Sequence, residues 1–305
     1  MPRRLLLIIN PAAAASRNQS GRLDRLIQTL NSMGHSLEIR RTRRAEEAIQ
    51  IAEEAVDFDV VIAVGGDGTV NEVATGLMHL GSRAPILGIA PFGTGNDMAQ
   101  LVGTAQDDDF LDAMNRTLEQ PMDLIAIHCR GLHENRPRAA LLFGAVGFAA
   151  ELLRQTTPRV KRWFGPKLCY SVGFFRALMT YRAPRIHART DGLEVCEPML
   201  VAYAANAPHA GAGMMQLAPD ASLTDGLMNL CLIRQTSRFE AAGQFPRLLR
   251  GAHIGHPKVR YFTGTSLELD SKTALEVAAD GELIGHTPAR FQLIPKGLRV
   301  VGHLA

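Results

Sequence analysis

Two strand-to-helix turns in register constrain this chain more than any other feature. Val60-Val61-Ile62-Ala63-Val64 runs into Gly65-Gly66-Asp67-Gly68-Thr69, and Ile86-Leu87-Gly88-Ile89-Ala90 runs into Pro91-Phe92-Gly93-Thr94-Gly95-Asn96-Asp97. Each reads as a buried strand, a glycine-rich turn and the first turn of a helix. That geometry turns backbone N–H groups and a positive helix end toward an anion. Two such turns leaving consecutive parallel strands converge on one ligand, and a nucleotide polyphosphate is an anion of the right size. Asp67 is the informative residue, because a carboxylate among phosphate-binding glycines repels the ligand unless it has chemistry to perform.

The surrounding pattern supplies a frame for these turns. Strand patterns at Leu5 to Ile9, Ser36 to Arg40, Asp59 to Val64, Ile86 to Ala90 and Met122 to His128 alternate with helix patterns at Arg22 to Met33, Ala45 to Val56, Asn71 to Leu80 and Asp107 to Leu118. This predicts an α/β domain over 1–128, doubly wound on a mainly parallel sheet, with its ligand at the carboxyl ends of the strands. After residue 128 short alternating runs dominate: Pro184 to Arg189, Met199 to Ala205, Leu227 to Ile233, Ser266 to Leu269 and Leu275 to Ala279. They predict a second, mainly antiparallel β-sandwich domain over 129–294, with helices around Leu168 to Thr180 and Phe239 to Arg250. The strand pattern Leu298 to Val301 is expected to return residues 295–305 to the first domain.

Composition excludes several classes. A length of 305 residues suits two domains, and 46% hydrophobic with 21% charged residues is ordinary for a soluble protein. A net charge of +3 is too small to argue for nucleic acid. Cys129, Cys169, Cys196 and Cys231 are widely spaced in apolar surroundings and read as buried free thiols of a reducing compartment. The apolar run after Arg4 stops at Asn10-Pro11, too short for a signal sequence, and the apolar stretch Ala139 to Ala150 is too short to span a bilayer. The expectation is a cytoplasmic protein whose membrane contact is peripheral. The oligomeric state is left open, a homodimer included.

The glycine loops also exclude chemistry. Asn71 and Met98 stand where a dinucleotide fingerprint needs its last glycine, and neither a P-loop lysine motif nor a G-x-S-x-G elbow is present. ATP phosphates would then be held by backbone amides, the Thr69 and Thr94 hydroxyls, Asn71 and a metal ion. His253 and His256, flanking an Ile-Gly turn, read as solvated loop residues.

Gly65-Gly66-Asp67-Gly68-Thr69 with Asn71-Glu72, together with Pro91-x-Gly93-Thr94-Gly95-Asn96-Asp97-x-Ala99, resembles the catalytic domain of the diacylglycerol kinase family, which includes sphingosine and ceramide kinases and is distantly similar to NAD kinases. Asn206, Gly211, Gly213, Pro219-x-Ala221 and Asp225-Gly226-Leu227 resemble its central β-domain motif, and Asp280-Gly281-Glu282 its late acidic motif. The resemblance implies an ATP site between the two domains and transfer of the γ-phosphate to a lipid hydroxyl. It implies that Thr42, Gly65, Gly66, Asp67, Gly68, Thr69, Val70, Asn71, Thr94 and Asn96 surround the nucleotide. Glu282 matches the acidic residue assigned as catalytic in soluble bacterial members, and Asp67 the aspartate treated as base or metal partner in other branches. Ser222, Asp225 and Leu227 match a structural Mg2+ site, Asp225 through its carboxylate and the others through carbonyl oxygens. A lipid alcohol must lose its proton as it attacks phosphorus, so a carboxylate within reach of that hydroxyl is useful, and magnesium prefers oxygen ligands. Which of Asp67 and Glu282 is base and which binds metal stays open. Diacylglycerol is the expected acceptor; a sphingoid base, phosphatidylglycerol and NAD are the alternatives, as is a silent nucleotide- or lipid-binding regulator.

Two segments depart from the family pattern or extend it. Gly147-Phe148-Ala149-Ala150 lacks the acid of the family's G-x-D-A segment, and Glu46-Glu47-Ala48 replaces a histidine near a helix start. Residues 154–185 interleave Arg154, Arg159, Lys161, Arg162, Lys167, Arg176, Arg182 and Arg185 with Trp163, Phe164, Tyr170, Phe174, Phe175 and Tyr181. Such a stretch fits an anionic membrane surface, or equally a core helix with a basic face.

Overall fold

A computed structural model describes residues 2–12, 17–156 and 171–304. The chain divides into two compact units, Met1–Met122 with Lys296–Ala305, and Asp123–Pro295. It leaves the first along strand β5 (Glu119–Arg130) and returns along β14 (Glu282–Val301).

The first unit is built on β1 (Arg4–Ile9), β2 (Ser36–Arg41), β3 (Val60–Gly65) and β4 (Ile86–Pro91). β1 pairs with β2 and β3, β3 with β4, and Val300 of β14 with Leu87 of β4, all in parallel. Every residue of β3 and β4 is buried, which explains their unbroken apolar sequence: strands covered on both faces have no polar side to show. Leu5, Leu7, Ile9, Val60, Ile62 and Val64 share a core with Leu23, Leu26 and Leu30 of α1 (Arg17–Ser32) and Phe110 and Met114 of α5 (Asp107–Asn115). The alternate residues Leu6, Ile8, Val61 and Ala63 are equally buried, and α2 (Glu47–Glu53) and α3 (Asp67–Leu80) pack on β1 and β3. β2 is paired on one side only and accordingly carries polar, partly exposed residues. The acidic run Asp107-Asp108-Asp109 opens α5, where Gln106 and Asp109 form a capping box. A short helix, α4 (Asp97–Leu101), follows the second glycine loop.

The second unit is antiparallel. β7 (Phe143–Gly147), β9 (Leu193–Ala205), β8 (Arg185–Thr190), β12 (Ser266–Asp270), β14 and β13 (Glu276–Ala279) pair in that order, and β13 returns to β7. The ring closes because two long strands serve two pairings each. Residues 193–198 of β9 pair with β8 and 201–205 with β7; residues 282–286 of β14 pair with β13 and 289–292 with β12. Closure leaves no edge within the ring itself, and the inward residues, among them Ile186, Ala188, Leu267, Leu269, Ala289 and Phe291, fill the interior at the two-residue period of a strand. β10 (Met228–Arg234) and β11 (Val259–Gly264) extend the sheet from β9, and β6 (Arg138–Ala140) pairs with β5.

Helices α6 (Phe148–Gln155), α7 (the helical residues 171–180) and α8 (Arg238–Leu248) share an apolar cluster of Phe148, Phe174, Leu178, Ala241 and Phe245. Among the described residues, no helix is long and apolar enough to cross a membrane. Two sequence expectations are corrected. His253 is buried, its Nε2 3.0 Å from the Tyr203 hydroxyl, because the turn carrying it is a short 3-10 segment that folds inward. Cys196 is exposed, since β9 turns that residue outward, whereas burial pushes the Cys231 thiol up to about 12. Cys129 and Cys231 are the buried or half-buried free thiols, and Cys169 lies outside the described residues.

Candidate active site

In the first unit the two glycine loops meet. A Cβ placed on Gly93 would fall 2.3 Å from Gly66 Cα and 2.7 Å from Asn96 Oδ1, so the backbones touch at a distance only glycine permits. Gly65 is held the same way: a Cβ there would lie 2.4 Å from Thr69 Oγ1. The Phe92 N–H donates to Gly65 O at 2.9 Å, which extends the β3–β4 pairing up to the loops. Asn96 adopts a left-handed conformation, φ 54°, and its amide accepts from Gly93 N at 2.9 Å and donates to Gly93 O at 3.0 Å. That side chain shapes the second loop.

Neighbouring strand ends complete the rim. Asn10, after β1, donates from Nδ2 to Thr69 Oγ1 at 3.2 Å, and Thr42, buried after β2, donates its N–H to Ile9 O at 3.0 Å. Thr69, Val70 and Asn71 are buried in the opening turns of α3, while Thr94 is exposed on the second loop. Gly66 caps α3 with extended backbone, which leaves Asp67 as the first helical residue and Gly68 half-buried beside it.

Asp67 is held beneath the second loop. Its Oδ1 accepts from Met98 N at 3.5 Å, and the Asn96 and Asp97 backbone groups also face it. Burial, and then the neighbouring Asp97 carboxylate, push its pKa above the usual carboxylate range against those backbone donors. Two carboxylates in a partly desolvated site repel each other, and a divalent cation relieves that repulsion; the donor set therefore fits magnesium.

In the second unit the three β-domain motifs are tied into one network. Asp280 and Gly281 form the two-residue turn between β13 and β14, both left-handed at φ 46° and 89°. The Asp280 carboxylate accepts from three successive backbone N–H groups: Leu141 at 2.7 Å, Leu142 at 2.9 Å and Phe143 at 3.0 Å. Asn206, fully buried, donates to Leu141 O at 3.1 Å and to Asp123 O at 2.8 Å. Asp123 Oδ2 in turn accepts from Gly226 N at 2.7 Å, which anchors the loop carrying Ser222, Asp225 and Leu227. Asp225 is exposed, its Oδ1 accepting from Leu227 N at 3.0 Å. Among the described residues no three His, Cys, Asp or Glu side chains gather as a metal site, so a cation at this loop would rely on Asp225 and carbonyl oxygens. Glu282, first residue of β14, is half exposed and meets the buried Arg138 guanidinium at 3.3 Å.

Sequence reasoning missed Asp123, Arg138 and the 141–143 turn. The available signal was a charged residue inside an apolar strand pattern, Asp123 between Met122 and Leu124. Of the basic and aromatic segment, Arg159, Lys161, Arg162, Trp163, Phe164, Lys167 and Tyr170 lie outside the described residues. In α7, Phe174 and Leu178 are core, while Phe175 and Met179 are exposed.

Comparison with known proteins agrees with this arrangement. The diacylglycerol kinase catalytic domain matches residues 4–127, and the YegS C-terminal NAD kinase beta sandwich-like domain matches residues 145–302. A diacylglycerol kinase of Staphylococcus haemolyticus is 30% identical over 96% of this chain and 86% of its own. The diacylglycerol kinase of Bacillus subtilis is 26% identical over 98% and 96%. The crystal structure of a diacylglycerol kinase described as putative from Bacillus anthracis superposes with a TM-score of 0.80 over 99% of both chains, at 21% identity, and so shares the fold. With the paired glycine loops, the Asp280 turn and both domain matches in one chain, the protein belongs to the diacylglycerol kinase family of lipid kinases.

Proposed function

We propose that this chain transfers the γ-phosphate of ATP to the hydroxyl of diacylglycerol, giving phosphatidic acid and ADP at a membrane surface. The observation that carries the reading is the contact of Gly66 with Gly93 above a half-buried Asp67. Loops that close can surround a polyphosphate, and a carboxylate beneath them supports phosphoryl chemistry at that ligand. We read the first unit as a doubly wound domain with its ligand at the carboxyl ends of the strands, where Thr42, Gly65, Gly66, Gly68, Thr69, Val70, Asn71, Thr94 and Asn96 surround the nucleotide.

In the reaction the lipid oxygen bonds to the γ-phosphorus as the bond to the β-bridging oxygen breaks, and a carboxylate, Asp67 or Glu282, takes the hydroxyl proton. Mg2+, when bound, would neutralise charge on the phosphates, held by whichever of Asp67 and Glu282 does not take the proton; Ser222, Asp225 and Leu227 would hold a second, structural ion. Peripheral membrane attachment is supported by the exposed Phe175, Met179 and Phe239 beside Arg176, Arg182 and Arg238, apolar and cationic groups that an anionic interface takes up together.

The test is transfer of label from γ-labelled ATP to vesicles containing diacylglycerol, a sphingoid base or phosphatidylglycerol, with NAD as a soluble acceptor, resolved by thin-layer chromatography. Labelled phosphatidic acid is expected. Label in NAD alone refutes a lipid acceptor, and ATP binding without transfer to any acceptor makes the chain a silent regulator.

A further inference from the structure

The geometry points to Arg138 and Asp280 as positioning residues that aim the carboxylate of Glu282 during transfer. The inference rests on the reading of Glu282 as a carboxylate that takes part in the reaction. Glu282 sits on the first residue of a strand, directly after a two-residue turn, and its side chain is 47% exposed. An exposed glutamate on a hairpin explores many rotamers, and each misaimed rotamer is unproductive. Two features restrict it. The Asp280 carboxylate is bonded to the N–H groups of Leu141, Leu142 and Phe143, and Asp280 N donates to Phe143 O at 3.0 Å, so the turn is fixed to the link between β6 and β7. Arg138, in β6 at the other end of that link, places its guanidinium against Glu282 Oε2.

The asymmetry of burial gives direction to the pair. The Arg138 side chain is 5% exposed, whereas Glu282 reaches solvent. A buried guanidinium on a paired strand has little freedom, so the rigid partner locates the mobile one. Asp280 thus fixes the backbone of Glu282, and Arg138 fixes its side chain.

The experiment measures kcat and both KM values for wild type, Arg138→Gln, Arg138→Lys, Asp280→Asn, Glu282→Gln and the double variant Arg138→Gln/Glu282→Gln, using ATP and diacylglycerol vesicles. Arg138→Gln is expected to lower kcat roughly 10- to 100-fold with little change in either KM, and Arg138→Lys, which keeps a cationic donor toward Glu282, to recover most of the loss. Asp280→Asn should lower kcat in the same way by loosening the turn, and it tests the inference where Arg138→Gln does not fold. The double variant should be no slower than Glu282→Gln alone, because a guanidinium that acts through Glu282 has nothing left to aim. Wild-type kcat in Arg138→Gln or Asp280→Asn, or a double variant slower by the full Arg138→Gln factor, overturns the inference. Wild-type kcat in Glu282→Gln instead removes Glu282 from the reaction.

Discussion

Gly93→Ala is the sharpest test of the loop geometry. The added methyl would sit 2.3 Å from Gly66 Cα, against an ordinary carbon contact of about 3.5 Å or more, so the loops must part by about 1 Å. The Gly66 atom it meets is backbone, and the methyl also meets Asn96 Oδ1, the side-chain atom that shapes the second loop, so a side-chain rotation alone cannot relieve the 2.3 Å contact. Overpacking of this kind costs roughly 1–3 kcal/mol, and if it falls on the closed loop arrangement the same energy weakens nucleotide affinity about 5- to 150-fold. Calorimetric titration with ATP and magnesium reads the affinity, and a urea transition reads the stability. Gly21→Ala is the control, since nothing lies within 4 Å of its Cβ and it occupies the interior of α1, where alanine should stabilise by about 0.5–1 kcal/mol. Wild-type affinity in Gly93→Ala would refute the argument that the two loops enclose one ligand.

Two further outcomes follow from the second unit. Burial lowers the pKa of His253 from 6.5 to about 4, so the ring is neutral in the fold and the unfolded chain binds the extra proton between those values. Stability is therefore full above about pH 6.5 and falls as the pH drops toward 4, by roughly 2 kcal/mol once partial solvation of the ring is allowed for; urea transitions at pH 7.5 and 4.5 should show this loss in wild type and a smaller one in His253→Gln, and equal losses would contradict it. Asp123→Asn weakens the acceptor of the Gly226 N–H and should destabilise by about 1–3 kcal/mol, with faster proteolytic cleavage across residues 218–227; unchanged cleavage would show that Asp123 does not anchor that loop.

The parts of the structure that could be read from residues are those in which local chemistry and tertiary packing agree. Val60 to Val64 is apolar throughout because both faces of β3 are covered, and the glycines after it allow the close approach that the loops require. The Asp280-Gly281 pair reads as a hairpin turn from its left-handed preference alone, and it is one. What stayed hidden depends on partners distant in sequence. Arg138 precedes an apolar stretch and gives no local sign of meeting a residue 144 positions later. Asp123 looks like an interruption in a strand until Gly226, 103 positions away, donates to it. His253 failed for the same reason, since a polar loop sequence does not reveal the buried Tyr203 hydroxyl that receives it.

The central claim is that the loops hold the nucleotide while Asp67 takes part in transfer, and Asp67→Asn separates those roles. The decisive measurement pairs ATP affinity with single-turnover transfer to diacylglycerol in that variant. The account predicts that the closed Gly66–Gly93 contact survives and ATP still binds, while transfer falls by at least about 100-fold. Transfer at the wild-type rate would contradict it.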